Sequence, residues 1–199
     1  LPWGVEIYSL LMQWHPLRLD EYLPKVDNQR KIAVFGLGPA GMGLAHHLSM
    51  QGATVVAMDG ADIKPWPYGD VMQPIYSYSS IYESLEDRAV LGFGGVAEYG
   101  ITVRWDKNLL KLVYLNLLRR QRVLLQANMR FGGSVDLDDC WRLGFDHVCL
   151  ALGAGLPKAL NIPNSMARGM RQANDFLMAL QLTGAYQQDT FAELYFASK

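Results

Sequence analysis

The clearest pattern of apolar and polar positions lies between residues 31 and 59. Residues 31–35 (KIAVF) form a short apolar run with a charged start, which predicts a buried parallel strand. Small and apolar residues at helical spacing follow over 41–51 and end at Gly52, a frequent C-cap residue. A second apolar run, 53–59, predicts the next strand. Strand, glycine turn, helix and strand within about 30 residues predict one βαβ unit.

The pattern after residue 60 is broken first and regular again later. Residues 60–90 carry three prolines and repeated Tyr and Ser without a sustained period, which predicts a long loop or an insertion with its own local structure. A helical period returns at Asp106, a predicted N-cap, and runs to Arg122. Further elements are predicted as strands at 123–127 and 147–152, a helix start at 136–139 and a helix at 174–182.

This alternation of strands and helices predicts an α/β fold with a Rossmann-like parallel sheet. The length of 199 residues fits one domain with appendages. We expect an N-terminal arm or linker over 1–30, in which 4–14 is compatible with a short helix, a dinucleotide-binding domain over 31–160 with an insertion at about 60–92, and a C-terminal helix and tail over 161–199.

Composition excludes several classes of function. Lys and Arg number 18 against 19 Asp and Glu, so the net charge of -1 offers no field that attracts nucleic acid or an anionic membrane. Two cysteines, Cys140 and Cys149, are too few for a disulfide scaffold, a four-cysteine iron–sulfur cluster or a tetrathiolate zinc site within this chain. With no apolar stretch of about 18 residues and no visible secretory signal, we expect no membrane span and a cytoplasmic location.

A GxGxxG pattern directly follows the first predicted strand and opens the first predicted helix. In such a motif Gly36 makes the tight turn, Gly38 lets the backbone approach a pyrophosphate, and Gly41 lets the helix pack closely on the strand. The helix N-terminus then offers N–H groups and a positive dipole end to phosphates. The alternative is that the glycines only make a tight corner between strand and helix.

Asp59 lies 21 residues after Gly38, at the end of the second predicted strand. A carboxylate in this place accepts hydrogen bonds from ribose hydroxyls, and it would repel a 2′-phosphate. The motif therefore predicts a dinucleotide site that excludes NADP and leaves FAD and NAD open.

Four segments, taken in order, resemble one family of flavoproteins. Residues 36–59 resemble the N-terminal FAD-binding motif of the two-dinucleotide flavoproteins, in which the Pro39-Ala40 pair is typical of FAD sites. Residues 94–101 (GGVAEYGI), with Arg104 and Lys107 following, resemble a segment of glutamate synthase small subunits and of related domains in dihydropyrimidine dehydrogenase and sulfide dehydrogenase. Residues 144–155 and 173–177 are similar to later segments of that group, so the resemblance covers about 31–180.

The resemblance implies an NAD(P)H-dependent FAD oxidoreductase that passes electrons between a nicotinamide cofactor, FAD and an iron–sulfur or substrate domain. It implies no catalytic acid or base and no metal ligand in this chain, because the flavin carries the chemistry. The implied cofactor-binding residues are Gly36, Gly38, Pro39, Ala40 and Gly41 for the pyrophosphate, Asp59 for the AMP ribose, Met129 for the adenine, Gly94, Gly95 and Val96 for the flavin end, Arg104 as a cationic donor, and Gly153 near the cofactor.

Some parts of the family pattern are missing from this chain. Thr102 stands where the pattern has Pro, and no second GxGxxG and no cysteine-rich domain occur. The chain also starts at Leu1 rather than Met. We therefore expect a truncated piece, inactive alone, whose partners are FAD and the domains or subunits that bind NAD(P)H and an iron–sulfur cluster. In the same way we expect the 60–92 insertion to shield the flavin or to contact a partner.

Two other functions stay open, and several residues have plain structural interpretations. The chain is alternatively a free-standing NAD-binding domain, or a degenerate docking or regulatory module of a larger complex. We interpret His46 and His47 as helix-surface residues, Cys149 as a small buried apolar residue, and the Arg119–Arg122 cluster as a complement to a helix dipole. Five aromatic residues of the insertion are expected mainly to close a core, with stacking on a flavin as the minority interpretation: Trp66, Tyr68, Tyr76, Tyr78 and Tyr82.

Overall fold

The computed structural model describes residues 23–66, 68–84, 90–100, 107–155 and 158–182, together with residues 4, 7 and 88. The strands are β1 (Lys31–Phe35), β2 (Thr54–Met58), β3 (Val123–Gln126) and β4 (His147–Leu150). The helices are α1 (Pro39–Met50), α2 (Tyr68–Met72), α3 (Val96–Tyr99), α4 (Lys107–Leu118), α5 (Leu137–Arg142) and α6 (Ala173–Leu182), with a 3₁₀ turn at Tyr78–Ser80.

The four strands form one sheet in the order β3-β2-β1-β4, and every pair is parallel. Ile32 is in register with Val55 of β2 on one side and with His147 of β4 on the other. The chain moves outward from β1 to β3 and then crosses back to β4 on the far side of β1. The crevice above the carboxyl ends of β1 and β4 is therefore a topological switch point, where ligands of such sheets bind. The predicted α/β Rossmann-like sheet is confirmed.

Both faces of the central strands β1 and β2 are covered, which explains why these strands are mostly apolar rather than alternating. The edge strands β3 and β4 are partly exposed, with Leu124 53% and Leu150 57% exposed. Ile32 and Val34 belong to a core cluster that also contains residues of α1 and α4. Ala33 and Phe35 face the other way and pack with Cys140 of α5 and with the segment around Phe131, whose ring centroid lies 4.9 Å from that of Phe35.

Element boundaries differ by a few residues from the predicted ones. Helix α1 begins at Pro39 rather than at residue 41, because proline fits the first turn of a helix, where its missing N–H would have no partner anyway. Helix α4 ends at Leu118, short of the predicted Arg122, and β4 ends at Leu150 rather than 152. The predicted start of α5 is confirmed by a reciprocal capping box between Asp136 and Asp139.

The structure leaves other boundaries open. The predicted N-cap Asp106 and almost all of the predicted helix at 4–14 lie outside the described residues. The division into an arm, a central domain and a C-terminal tail stays a prediction. In the described part of the arm, Lys25 donates its backbone N–H to the carbonyl of Met50 at 2.8 Å. The last residues of the arm before β1 therefore pack against the C-terminal end of α1.

The insertion after β2 is fastened to α4 by hydrogen bonds. Arg119 donates from Nε to the carbonyl of Val71 at 2.6 Å, and its guanidinium also reaches the carbonyl of Gln73. Tyr114 donates its hydroxyl to the carbonyl of Lys64 at 3.0 Å. The insertion contains α2 and the 3₁₀ turn, so it has the local structure that its length suggested.

Candidate functional site

The glycine loop after β1 is built by close backbone approach. Gly36 has φ +97, and a Cβ placed there would lie 2.3 Å from the carbonyl oxygen of Ala151, just after β4. A Cβ at Gly41 would lie 1.7 Å from the carbonyl oxygen of Gly36. No side chain fits either position without moving backbone, so these two glycines perform the tight turn and the close packing of α1 that the motif predicts.

Gly38 is different, because no atom of the described residues occupies the space in front of it. Within that part of the chain, a Cβ at Gly38 would meet nothing within 4 Å, and its φ of -72 is accessible to any residue. It is the N-cap of α1, no side chain caps this helix end, and Pro39 follows at the first position. The open space beside Gly38 therefore lies at the N-terminus of α1, the positive end of its dipole.

Asp59 follows β2 directly and reaches the glycine loop. Its Oδ2 accepts a hydrogen bond from the backbone N–H of Leu37 at 2.5 Å, and its Oδ1 accepts one from Ala61 at 2.8 Å. Each carboxylate oxygen has a second lone pair, so the half-buried side chain can accept further hydrogen bonds. The acid and the glycine loop thus form one unit at the carboxyl edge of the sheet.

The turn at Gly94 and Gly95 lies against this unit. Both residues have positive φ, +111 and +54, and a Cβ at Gly95 would lie 3.1 Å from the Cα of Gly38. Val96 opens α3 directly after the turn and is 44% exposed. The structure therefore brings together two glycine turns that are more than 50 residues apart in the sequence.

A buried ion pair behind this turn was not predicted from the sequence. Arg88 and Glu98 are each 2% exposed, and Arg88 Nη2 lies 2.5 Å from Glu98 Oε2. Buried Lys107 donates from Nζ to the carbonyls of Ala97 and Gly100, the latter at 3.2 Å. Burial lowers the pKa of Lys107, and the Glu98 carboxylate opposes that shift. The available signal was the place of Glu98 and Lys107 inside the segment that resembles flavoproteins.

The other predicted site residues make fewer contacts with the glycine loop and Asp59, or lie outside the described residues. Met129 donates its backbone N–H to the carbonyl of Asp59 at 2.8 Å, which puts it beside the acid, and its side chain packs against the second core cluster. Gly153 follows β4 with φ +67 and is exposed, with no neighbour within 4 Å of a Cβ built on it. Arg104 lies outside the described residues. Binding of a cofactor by any of these residues stays a prediction.

The interpretation of both histidines as surface residues is wrong for His46. His47 is exposed, but His46 is half-buried between α1 and α4, and its Nδ1 lies 3.2 Å from Nη2 of Arg120. Burial lowers the pKa of His46, and the charge of Arg120 lowers it further. Arg120 also donates to the sulfur of Met50 at 2.9 Å. Arg119 and Arg120 of the basic cluster thus connect the end of α4 to the insertion and to α1, in addition to complementing the helix dipole.

The remaining candidates are mostly structural. Trp66 packs on Tyr114 with ring centroids 5.9 Å apart and lines an apolar cavity of about 350 Å³, whereas Tyr76 and Tyr82 are exposed. The side chains of Tyr68 and Tyr78 lie outside the described part. Cys149 is half-buried rather than buried, and burial raises the pKa of its thiol.

Two features are absent from the described residues. Within these ranges, no three His, Cys, Asp or Glu side chains are grouped as metal ligands would be. None of the helices in the described part is both long enough and apolar enough to cross a bilayer.

Fold and site together define a Rossmann-like domain with a glycine loop of the dinucleotide-binding kind. No family model matches the chain. It is 43% identical over 190 residues to an uncharacterized protein, RP006, of Rickettsia prowazekii (strain Madrid E), covering 96% of this chain and 27% of that protein.

Two glutamate synthases are also similar in sequence. The match to Glutamate synthase [NADH] of Schizosaccharomyces pombe (strain 972) is 29% identical and covers 77% of this chain and 6% of that protein. The match to the Glutamate synthase [NADPH] small chain of Bacillus subtilis (strain 168) is 25% identical and covers 87% of this chain and 29% of that protein. The chain therefore spans less than a third of the length of each of these relatives, and it is related to oxidoreductases.

Among solved structures, the similar chains are also much longer. Histamine dehydrogenase from Rhizobium sp. 4-9 superposes with a TM-score of 0.41 at 20% identity, over 74% of this chain and 16% of that one. The 6-hydroxypseudooxynicotine amine oxidase from Pseudomonas geniculata N1 gives a TM-score of 0.42 at 20% identity, over 77% and 19% of the two chains.

Proposed function

We propose that this chain is the FAD-binding part of an NAD(P)H-dependent flavoprotein oxidoreductase of the glutamate synthase kind. The observation that carries the proposal is the meeting of the glycine loop, Asp59 and the Gly94–Gly95 turn at the switch point of the sheet. Relatedness to glutamate synthases supports it, since one of these relatives is named for NADH and the other for NADPH.

The residues present fit the ADP half of FAD. Gly38 leaves open space at the uncapped N-terminus of α1, where a pyrophosphate is stabilised by N–H groups and the helix dipole. Pro39 contributes no N–H, so Ala40 and Gly41 are the donors in this first turn. Asp59 retains acceptor capacity for ribose hydroxyls.

FAD, when bound, supplies hydride and single-electron chemistry, and the chain supplies placement and electrostatics. The half-buried Asp59 carboxylate would repel a 2′-phosphate, which favours FAD or NAD over NADP in this site. Gly94, Gly95 and Val96 would approach the flavin end through their backbone. The NAD(P)H site, an iron–sulfur cluster and the other domains or subunits that exchange electrons with FAD belong to parts outside these residues.

The test is a binding comparison on the full chain. FAD, ADP and NAD are titrated separately by calorimetry, and bound flavin is also sought by absorbance after purification and after denaturation. We expect FAD and ADP to compete for one site and FAD to bind more tightly than NAD. Tighter binding of NAD would support the free-standing NAD domain instead, and binding of none of the three would overturn the proposal in favour of a docking module.

A further inference from the structure

The loop after β3 is held against the segment that carries Asp59. Met129 donates its N–H to the carbonyl of Asp59 at 2.8 Å, and Asn128 donates its N–H to the carbonyl of Ala61 at 3.0 Å. The side chain of Asn128 adds a hydrogen bond to Asp62 at 3.1 Å. These three bonds fix the position of the next residue, Arg130, beside Gly60, which follows Asp59 in the chain.

Arg130 lies beside two glycines, Gly60 and Gly133. A Cβ at Gly60 would lie 3.6 Å from Cβ and 3.7 Å from Cγ of Arg130, and a Cβ at Gly133 would lie 3.8 Å from Cβ and Cδ of the same arginine. The carbonyl of Arg130 also accepts the N–H of Ser134 at 2.8 Å, which closes a tight turn behind it. The first carbons of the Arg130 side chain therefore lie beside two residues that present no side chain to them, and Arg130 is exposed.

The head of Arg130 is available for a ligand. Among the described residues no carboxylate lies within 4.0 Å of its guanidinium, even though Asp59 and Asp62 stand on the adjoining segment. A guanidinium is planar and stacks on aromatic faces, which an ammonium does not.

We propose that Arg130 is a specificity-determining residue of the adenosine subsite, where its guanidinium stacks on the adenine whose ribose is bound by Asp59. The inference rests on the proposed function and goes beyond it, because it assigns the base-recognising group. Contact with a 2′-phosphate is the less favoured role, since the Asp59 carboxylate in the same subsite opposes that charge.

The experiment titrates ADP into the full chain and three variants. Arg130→Met keeps the aliphatic stem beside the glycines but removes the planar cation, and Arg130→Lys keeps charge without a plane. Arg142→Met is the matched control, because Arg142 ends α5, which leads to the amino end of β4, away from the site. We expect ADP binding to weaken about 3- to 30-fold in Arg130→Met, the range of cation–π contacts. We expect Arg130→Lys to recover only part of it, because an ammonium keeps the cation–π attraction but not the planar stacking, and Arg142→Met to bind as wild type does.

A base-free probe separates recognition from a general loss of structure. Ribose 5-phosphate, used as a competitor, should bind Arg130→Met and wild type equally, because it presents no adenine. Wild-type affinity for ADP in Arg130→Met, or full recovery in Arg130→Lys, would overturn the stacking role. If wild-type protein binds no ADP at all, the proposed function itself has failed, and this outcome is distinct from both.

Discussion

Replacement of Gly38 by Asp is expected to change stability and cofactor binding in opposite directions. Gly38 is the N-cap of α1, with extended backbone at φ -72 and ψ -175, and a Cβ there touches nothing within 4 Å. Asp is among the best N-cap residues, because its carboxylate accepts an N–H of the first turn. The same carboxylate would stand where the proposed function requires the pyrophosphate.

The structure allows both magnitudes to be worked out. Asp in place of Gly at an N-cap stabilises by a few tenths of a kcal/mol, and a negative charge at this end of the helix dipole adds about 0.3–1 kcal/mol. For a chain of this size the sum corresponds to an increase in Tm of about 1–5 °C. If the pyrophosphate of FAD loses its two charge-assisted hydrogen bonds from the N–H groups of Ala40 and Gly41, at about 1.5–3 kcal/mol each, FAD affinity falls by about two to four orders of magnitude.

The assay pairs thermal unfolding with FAD titration on the same preparations. Gly43→Ala is the control: Gly43 lies in α1, a Cβ there also meets nothing within 4 Å, and Ala in a helix interior stabilises by about 1 kcal/mol over Gly. This control should raise Tm and leave FAD binding unchanged. If Gly38→Asp keeps wild-type FAD affinity, the pyrophosphate does not lie at this helix end. If it unfolds the protein, the open space in front of Gly38 has been misjudged.

Three further changes test the packing around the site. Gly41→Ala places a Cβ about 1.7 Å from a backbone oxygen and should cost about 2–4 kcal/mol of unfolding free energy in urea; a loss below 0.5 kcal/mol would contradict the close approach. Glu98→Ala removes the carboxylate that pairs with the buried guanidinium of Arg88 and should cost about 3–5 kcal/mol, whereas the double variant Arg88→Met/Glu98→Leu should recover most of it, and no recovery would argue against the pair. The lowered pKa of His46 means that the unfolded state takes up a proton first as the pH falls below about 6.5, so stability should fall there. His46→Gln should flatten this dependence and His47→Gln should not, as measured by urea unfolding at pH 7.5 and 5.5; equal effects would refute the assignment.

The order of elements around β1 could be predicted because local rules control it. Residues 32–35 are apolar without alternation, a pattern that is typical of a strand covered on both faces. Gly36 and Gly41 are required by contacts of their own backbone with the next turn and the next strand, so their spacing alone revealed the corner. Helix starts were less exact, since Pro39 and not residue 41 opens α1.

The sequence could not show which distant residues meet. Nothing in the local sequence distinguishes Arg130 from other exposed arginines. Its place beside the Asp59 segment depends on the hydrogen bond from Met129 to Asp59 and on the absence of a side chain at Gly60, which is 70 residues away in the chain. The surface interpretation of His46 rests on the spacing of residues within its own helix, where no carboxylate or cysteine lies at i+4, and such spacing does not show what packs on the helix. The burial of His46 depends on α4 and on Arg120, which follows that helix and lies more than 70 residues further along the chain.

The long segment between Asp59 and Gly94 is part of the site's support. Helix α3 has four residues, too few to be stable by itself, so the Gly94–Gly95 turn in front of it needs external anchors. Those anchors are Arg88, which pairs with Glu98 from the end of the insertion, and Lys107, which binds the carbonyl groups of α3. Loss of Arg88 would leave the buried carboxylate of Glu98 without its cation, and loss of Lys107 would leave the carbonyls of α3 without its Nζ donor. In either case the Gly94–Gly95 turn, which lies against Gly38, would move with α3. The insertion therefore contributes to the geometry of the glycine turns, whatever further role its exposed surface has.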